Sequence, residues 1–378
     1  MTLRVRVVHP LIAKYREPVF AELARRPGID LEVWADLRAK TGSLKGLPGS
    51  DFFRCVQAPY RELGPILWQP TMMAAVTGPV DAVILPWNSR YVHLVPALRR
   101  ARRNGVRAVL FGHGIGKRES VLRRRIRNAI FSLADACVLY SPGQAAALIA
   151  EGKPKGRIFV APNSLDPAPI DAARAMWDTA RTDAFLAERG CARGELIVTV
   201  SRLERWKRVD RLLEAFALIA ARRPAARLAI IGDGPDRAAL ELQATQTGFR
   251  DRVHFTGALY DEIAIAPWML GSACLAFPAA IGLSLLHAFL YGLPVVTSDD
   301  RLPHGPEIEA LQDGLNGLLY REGDTAHFAA QIERLLGDSA EQRRLAGKAQ
   351  ATVSCPGGWN IRTMVDGFVA AVGGGVGS

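Results

Sequence analysis

The stretch "VTVSRLERWKRVDRLLEAF", Val198 to Phe216, closes an apolar run at Ser201 and then sets Arg202 and Lys207 five residues apart, ahead of an amphipathic helix pattern. A guanidinium forks onto phosphate oxygens and an ammonium adds a compact charge, so the pair suits a departing diphosphate without a metal ion. An isolated basic pair is more often an exposed loop; its place at a strand end is what argues for phosphate. One βα unit further, "AIIGDGPDRAAL" places Gly232 and Gly234 in a turn whose backbone can pass close to a ligand. "HFTGALYDEI" then puts Leu259 just beyond another strand, where its backbone would meet a nucleobase edge. In "FPAAIGLSLLHAFLYGLPVV", Phe277 to Val296, the residues Gly282, Leu283 and Ser284 lie where loop becomes helix, so their N–H groups would face a diphosphate at the positive end of the helix dipole. A plain βαβ packing unit would also want small residues there.

These residues need strands that end in the right places. Short apolar runs alternate with helical patterns along the chain, which predicts parallel sheets covered by helices. In the first half "RVRVVHP", "DLEVWAD", "DAVILPW", "RAVLFGH", "ACVLYS" and "IFVAPNS" read as strands, with helices over 91–104 and 120–134. The series restarts with "LIVTVSRL", "RLAIIGDG", "VHFTGAL", "ACLAFPA" and "LPVVTSD". The expected division is 1–165 for a first Rossmann-like domain, 166–190 for a linker and connecting helix, and 191–356 for a second Rossmann-like domain. A terminal helix at about 357–372 would pack back on the first domain, and the tail "GGGVGS" reads as disordered. Several strands end in Gly, Ser, Asn or Asp before a helix, which places ligand loops at the carboxyl ends of both sheets.

A chain of 378 residues with 49% hydrophobic and 22% charged residues suits two globular domains and excludes a disordered class. No apolar run is long enough to span a bilayer. The first residues show no leader pattern, and five cysteines are scattered without metal-ligand spacing. The expectation is a cytoplasmic protein with reduced core thiols, peripheral at the inner face of a membrane. The net charge of +11 concentrates in "LRRARRNG" and "KRESVLRRRIRN". Neither segment interleaves stacking aromatics, which argues against nucleic acid and for an anionic membrane or acidic substrate. In the second segment Leu122, Ile126, Ile130 and Leu133 form one apolar stripe expected to face the core. That leaves Arg123, Arg124, Arg125 and Arg127 to dock on anionic lipid or a lipid pyrophosphate. His113, between two glycines in "VLFGHGIGKRES", lies on a permissive loop after an apolar strand, where a site histidine fits.

Taken together, "SRLERWK", "IIGDGP", "FTGAL", "IGLSLLHAFLYGLPVV" and "GPEIEALQDGLNGLLY" resemble, in order and spacing, the retaining glycosyltransferases of the family-four type. The likeness covers essentially the whole second domain; the first matches more weakly, through strand order and "LFGHGIG". It implies an α/β GT-B fold, two Rossmann-like doubly wound domains facing across a cleft, with 1–165 on the acceptor side and 191–356 binding the nucleotide. Position by position, it implies that Arg202, Lys207, Gly282, Leu283 and Ser284 hold the donor diphosphate. Gly232 and Leu259 fall on the nucleoside side, and His113 near the donor sugar. The family's two carboxylates, directed at sugar and ribose, fall here at Ala279 and His287. Imidazole can still bond a ribose hydroxyl, whereas Ala279 replaces none of a carboxylate's contacts. Glu307 in "PEI" is retained. Where relatives carry a glycine pair after the first strand, this chain has "HPLIAKYREP", and Lys14, Tyr15 and Arg16 become candidates for phosphate or acceptor.

The resemblance implies transfer of a sugar from a nucleotide-diphosphate donor, a UDP-sugar ahead of a GDP-sugar, to a cell-envelope glycan or lipid-linked acceptor. It implies front-face displacement, with no metal and no cofactor. Two other readings stand beside it: a sugar-nucleotide epimerase of the same fold, and a non-catalytic sugar-nucleotide or membrane-binding protein.

Overall fold

The computed structural model describes residues 2–38, 40, 41, 44–116 and 119–374. Lys117, Arg118 and residues 375–378 of the glycine-rich tail lie outside the described residues. The chain divides into two compact units, Met1–Ser164 with Asn360–Ser378, and Leu165–Trp359.

The first unit is built on seven strands: β1 (Leu3–Val8), β2 (Ile29–Ala35), β3 (Arg54–Gln57), β4 (Ala82–Pro86), β5 (Arg107–Gly112), β6 (Ala136–Leu139) and β7 (Ile158–Val160). Their order is β7-β6-β5-β4-β1-β2-β3, and every pairing is parallel. The second unit carries β8 (Leu196–Val200), β9 (Arg227–Ile231), β10 (Val253–Gly257), β11 (Ser272–Phe277), β12 (Val295–Ser298) and β13 (Gly317–Tyr320), in the order β10-β9-β8-β11-β12-β13, again all parallel. Sheets of this kind are covered on both faces, so their strands are near-continuous apolar runs; all six residues of β11 are buried.

Each sheet starts in its middle, builds outward to one side, and then crosses back. The strand order therefore reverses between β1 and β4 in one sheet and between β8 and β11 in the other. At such switch points the loops leaving two neighbouring strands diverge and open a crevice. The sequence pattern misses β3 and β13, an edge strand of each sheet, and the short antiparallel pairs Lys40–Thr41 with Leu44–Lys45 and Arg61–Leu63 with Ile66–Trp68.

Residues 166–190 are two helices, Ala168–Met176 and Thr179–Ala187, and both belong to the second unit. Trp177 Nε1 donates to the Ile263 carbonyl at 2.8 Å, tying this segment to the helix Glu262–Gly271. The C-terminal helix Ile361–Gly373 belongs to the first unit, with Met364, Phe368 and Val372 buried. Gly367 lets it close on β7: a Cβ there would stand 2.2 Å from the Val160 carbonyl oxygen.

Candidate functional site

The site in the second unit forms at the switch point, from the loops that leave β8 and β11. Beyond β8, Ser201 N–H bonds the Ile231 carbonyl at 3.0 Å and Leu203 N–H the Asp233 carbonyl at 3.0 Å, so the chain runs beside the turn after β9. That closeness demands glycine: a Cβ on Gly232, at φ 149°, would lie 1.8 Å from the Ser201 oxygen. Gly232 thus shapes the loop that carries Arg202. Glu204 organises the loop's side chains, with Oε1 2.9 Å from Arg202 Nε and Oε2 accepting from Trp206 Nε1 at 2.7 Å. Arg202 remains half-exposed.

Lys207 turns toward the second loop. Its Nζ donates to the Ala280 carbonyl at 2.7 Å and lies 4.0 Å from the Trp206 ring centroid and 5.2 Å from that of Phe277. Ala280 has φ 55°, a left-handed conformation costly for a residue with a Cβ. The loop is pinned on several sides. The Phe277 carbonyl accepts from Thr297 Oγ1 at 2.7 Å and the Pro278 carbonyl from Tyr320 Oη at 2.7 Å. Ile281 N–H donates to Nδ1 of buried His304 at 3.0 Å, and the other ring nitrogen donates to the Ser298 carbonyl at 3.1 Å, which fixes a neutral imidazole. Glu307 is buried beneath, its Oε2 so close to Gly305 that a Cβ there would sit 2.2 Å away.

From Gly282 the chain enters the helix Leu283–Leu290. Leu285 N–H is taken by the Gly282 carbonyl at 2.9 Å, while Leu283 and Ser284 N–H precede any acceptor within the helix, which is what suits such a terminus to an anion. Ser284 Oγ donates to the Val200 carbonyl at 3.1 Å, tying the helix start to the end of β8. Arg202, Lys207, Gly282, Leu283 and Ser284 therefore belong to two loops joined by two direct hydrogen bonds. Ala279 is buried in the same loop and presents only a methyl group.

His287, one turn along, meets a carboxylate from another helix. Its Nε2 lies 3.1 and 3.0 Å from the two carboxylate oxygens of Glu262, and Tyr291 Oη donates to Glu262 Oε2 at 2.8 Å. Burial and the neighbouring carboxylate push the Tyr291 hydroxyl far above its ordinary range. Leu259 is half-buried and lines a separate cavity of about 530 Å³ with Trp177, Phe185 and Trp268. Glu262, Tyr291 and His304 were not singled out by sequence. The spacing of His287 and Tyr291, four apart on one helix, was the available signal, but their shared carboxylate comes from a different helix.

In the first unit the switch point between β1 and β4 opens a cavity of about 390 Å³, lined among others by His9, Trp87, Asn88, His113, Arg123 and Tyr140. His113 is exposed, its Nδ1 3.4 Å from the Gln144 amide nitrogen and its ring 4.8 Å from that of Tyr140. His9 donates from Nδ1 to the Leu11 carbonyl at 2.7 Å. Loss of hydration and the Arg16 cation hold its pKa down to about 4. Lys14 is exposed and Tyr15 half-buried, but Arg16 is buried. Its guanidinium lies 5.3 Å from the Tyr15 and Tyr140 ring centroids and 5.7 Å from that of Phe111. The expectation of a ligand-facing Arg16 is corrected: it is an aromatic-caged residue of the core.

The basic helix, Val121–Leu133, also corrects the sequence reading. Ile130 is buried and Leu133 half-buried, but Leu122 and Ile126 are 66% and 42% exposed, and Val121 is 59% exposed. The core-facing stripe therefore occupies only the last turns. Arg123, Arg124 and Arg125 are exposed beside those apolar side chains. Arg127 is not available to a membrane: it is buried and holds Glu119 at 2.9 Å and Glu151 at 2.8 Å. Among the cysteines, Cys137, Cys191 and Cys274 are buried and Cys55 is half-buried, but Cys355 is exposed, since it ends the helix Ser339–Ser354 ahead of a proline. Among the described residues there is no cluster of three or more His, Cys, Asp or Glu side chains arranged to hold a metal ion, and no helix long and apolar enough to cross a membrane.

Residues 194–338 match the glycosyl transferases group 1 family. An exopolysaccharide phosphotransferase of Streptomyces coelicolor is 34% identical over 43% of this chain and 17% of its own length. LpsE, a lipopolysaccharide core biosynthesis glycosyltransferase of Rhizobium meliloti, is 30% identical over 42% of this chain and 44% of its own. The chain thus spans less than half the length of these curated relatives. Among solved structures, the Anabaena protein HepE in complex with UDP superposes with a TM-score of 0.73 at 19% identity, over 98% of this chain and 100% of the other. The likeness establishes a GT-B fold.

Proposed function

We propose that this chain, which carries a glycosyl transferases group 1 domain at residues 194–338 within a GT-B fold, transfers a sugar from a nucleotide-diphosphate donor to a cell-envelope glycan or lipid-linked acceptor. A UDP-sugar is favoured over a GDP-sugar, because the structural neighbour HepE was crystallised with UDP. The observation that carries the reading is the bond from Lys207 Nζ to the Ala280 carbonyl, which joins a strand-end cation to the loop before a helix N-terminus. Arg202, Lys207 and the N–H groups of Gly282, Leu283 and Ser284 then surround one anion site at a switch point.

In the proposed reaction the bond from the anomeric carbon to the diphosphate oxygen breaks, and negative charge grows on the departing diphosphate. Arg202 and Lys207 stabilise that charge, so the route needs no metal. The acceptor hydroxyl attacks from the same face with retention, and its proton passes to an oxygen of the leaving diphosphate. The cavity around His113, with Trp87 and Tyr140 as aromatic platforms, is the proposed place for the acceptor.

The same reading includes an anionic membrane surface, met by Arg123, Arg124 and Arg125 together with the exposed Val121, Leu122 and Ile126. A protein so placed works at the cytoplasmic face, peripheral to the bilayer.

The test is turnover of a panel of radiolabelled UDP- and GDP-sugars with membrane extract, in the presence and absence of chelator. Label entering a glycan or lipid fraction, with the anomeric configuration kept and chelator without effect, supports the proposal. Conversion of the donor to its epimer without acceptor would favour the epimerase. Nucleotide binding with no product in any pool would favour a non-catalytic binder.

A further inference from the structure

This inference rests on the nucleotide reading above and concerns how the nucleoside is held. At His287 the sequence leaves the second unit without the carboxylate that the family resemblance leads one to expect. The tertiary structure places a carboxylate beside that position from a different element. Glu262 opens the helix Glu262–Gly271, whose N-terminus is capped by Asp261 through a 3.1 Å bond from Ile263 N–H. Both its oxygens lie within 3.1 Å of His287 Nε2, and Tyr291 Oη donates to one of them. A carboxylate accepts only, so His287 must present Nε2–H to it, and the imidazole acts here as a support. The side chain of Glu262 keeps 24% of its surface accessible, against 12% for His287, so the outermost polar group of the trio is the carboxylate.

Its location is specific. His287 stands one helical turn beyond Leu283 and Ser284, the proposed diphosphate contacts. Glu262 itself follows by three residues Leu259, which the family resemblance sets beside the base and which lines the neighbouring cavity with Trp177, Phe185 and Trp268. In any nucleotide the ribose joins base to phosphates, and its two vicinal hydroxyls are paired donors that match the two oxygens of a carboxylate. We propose that Glu262, positioned by His287 and Tyr291, accepts the ribose hydroxyls of the donor nucleotide. His287 is then a positioning residue that redirects a carboxylate from one helix into a place the other helix no longer fills.

Calorimetric titration of UDP and of GDP into the wild type, Glu262→Gln and Tyr291→Phe tests this, with 2′,3′-dideoxy-UDP and inorganic pyrophosphate as further probes. Glu262→Gln should weaken binding of UDP or GDP by about 10- to 100-fold, the loss expected for hydrogen bonds to a charged acceptor. It should leave pyrophosphate binding unchanged, which also reports that the variant is folded. The dideoxy nucleotide should bind wild type and Glu262→Gln alike. Tyr291→Phe, which only loosens the carboxylate, should show a smaller loss confined to the nucleotides that carry both hydroxyls. If the wild type binds UDP or GDP and Glu262→Gln binds it equally well, the Glu262 assignment falls and the nucleotide reading stands. If the wild type binds neither, both fall.

Discussion

Replacing Lys207 with alanine is the sharpest test of the anion site. The Nζ sits 2.7 Å from the Ala280 oxygen, on the loop whose next residues start the helix at Leu283, so its position is set by backbone and not by a mobile surface chain. Removing it leaves one carbonyl without this donor, a loss of about 1 kcal/mol. In a unit of this size that lowers Tm by about 2–4 °C, and the protein stays folded. A charge-assisted hydrogen bond from the ammonium to a phosphate oxygen contributes about 1.5–3 kcal/mol. At about 1.4 kcal/mol per tenfold change, Lys207→Ala should weaken UDP binding by about 10- to 140-fold. Turnover should fall by roughly ten- to thousandfold, as for other lost stabilisers of a charge that develops in the transition state. The assay is titration of UDP, with UMP as the internal control, alongside donor turnover. UMP lacks the second phosphate and should lose less affinity. An unchanged affinity for UDP together with unchanged turnover would refute the assignment of Lys207.

Four further outcomes follow from the same geometry. Arg127→Ala strips the counter-charge from Glu119 and Glu151 and should destabilise the first unit by about 3–5 kcal/mol in urea denaturation; a change below 1 kcal/mol would show that the buried pairs are not coupled to folding. Gly232→Ala should both lower Tm and weaken UDP binding, because its Cβ can only be placed by moving Ser201 and the loop carrying Arg202; wild-type affinity would show that this loop is not part of the site. His9, with a pKa near 4 against 6.5 unfolded, is held neutral by the fold. Its contribution is complete above pH 6.5 and is lost as pH falls toward 4, by up to about 3 kcal/mol, so His9→Gln should flatten the acid limb of a stability–pH curve; an unaltered limb would place the titration elsewhere. Vesicles containing phosphatidylglycerol should bind the protein and pure phosphatidylcholine should not. Each of Arg123, Arg124 and Arg125 changed to Gln should reduce that binding by about fivefold, from about 1 kcal/mol per basic residue at such a surface, and Leu122→Ser with Ile126→Ser should reduce it by roughly tenfold; binding insensitive to all of these would exclude the helix as the contact.

The sequence by itself determined most strands of the two sheets and the strand ends at which the proposed anion site lies. Buried parallel strands such as "LIVTV" and "ACLAF" are continuous apolar runs, and the residues that follow them in the chain must be the loops at their carboxyl ends. Arg202, Lys207 and Gly282 to Ser284 could be proposed together for that reason: each is local to a strand end, and two hydrogen bonds join their loops. What the sequence could not carry is anything set by neighbours distant along the chain. Arg127 reads as one more surface arginine until Glu119 and Glu151 enclose it, and Arg16 as a ligand-facing cation until Tyr15, Phe111 and Tyr140 surround it. Leu122 and Ile126 share a helical face with Ile130, yet only the last turns of that helix meet the core, because periodicity gives the direction of a side chain and not the extent of the surface it meets. His287 looks like a lost carboxylate in one dimension. Tertiary structure sets Glu262, twenty-five positions earlier in the chain, against it, since contact between two helices depends on how both pack on the sheet and not on spacing within either.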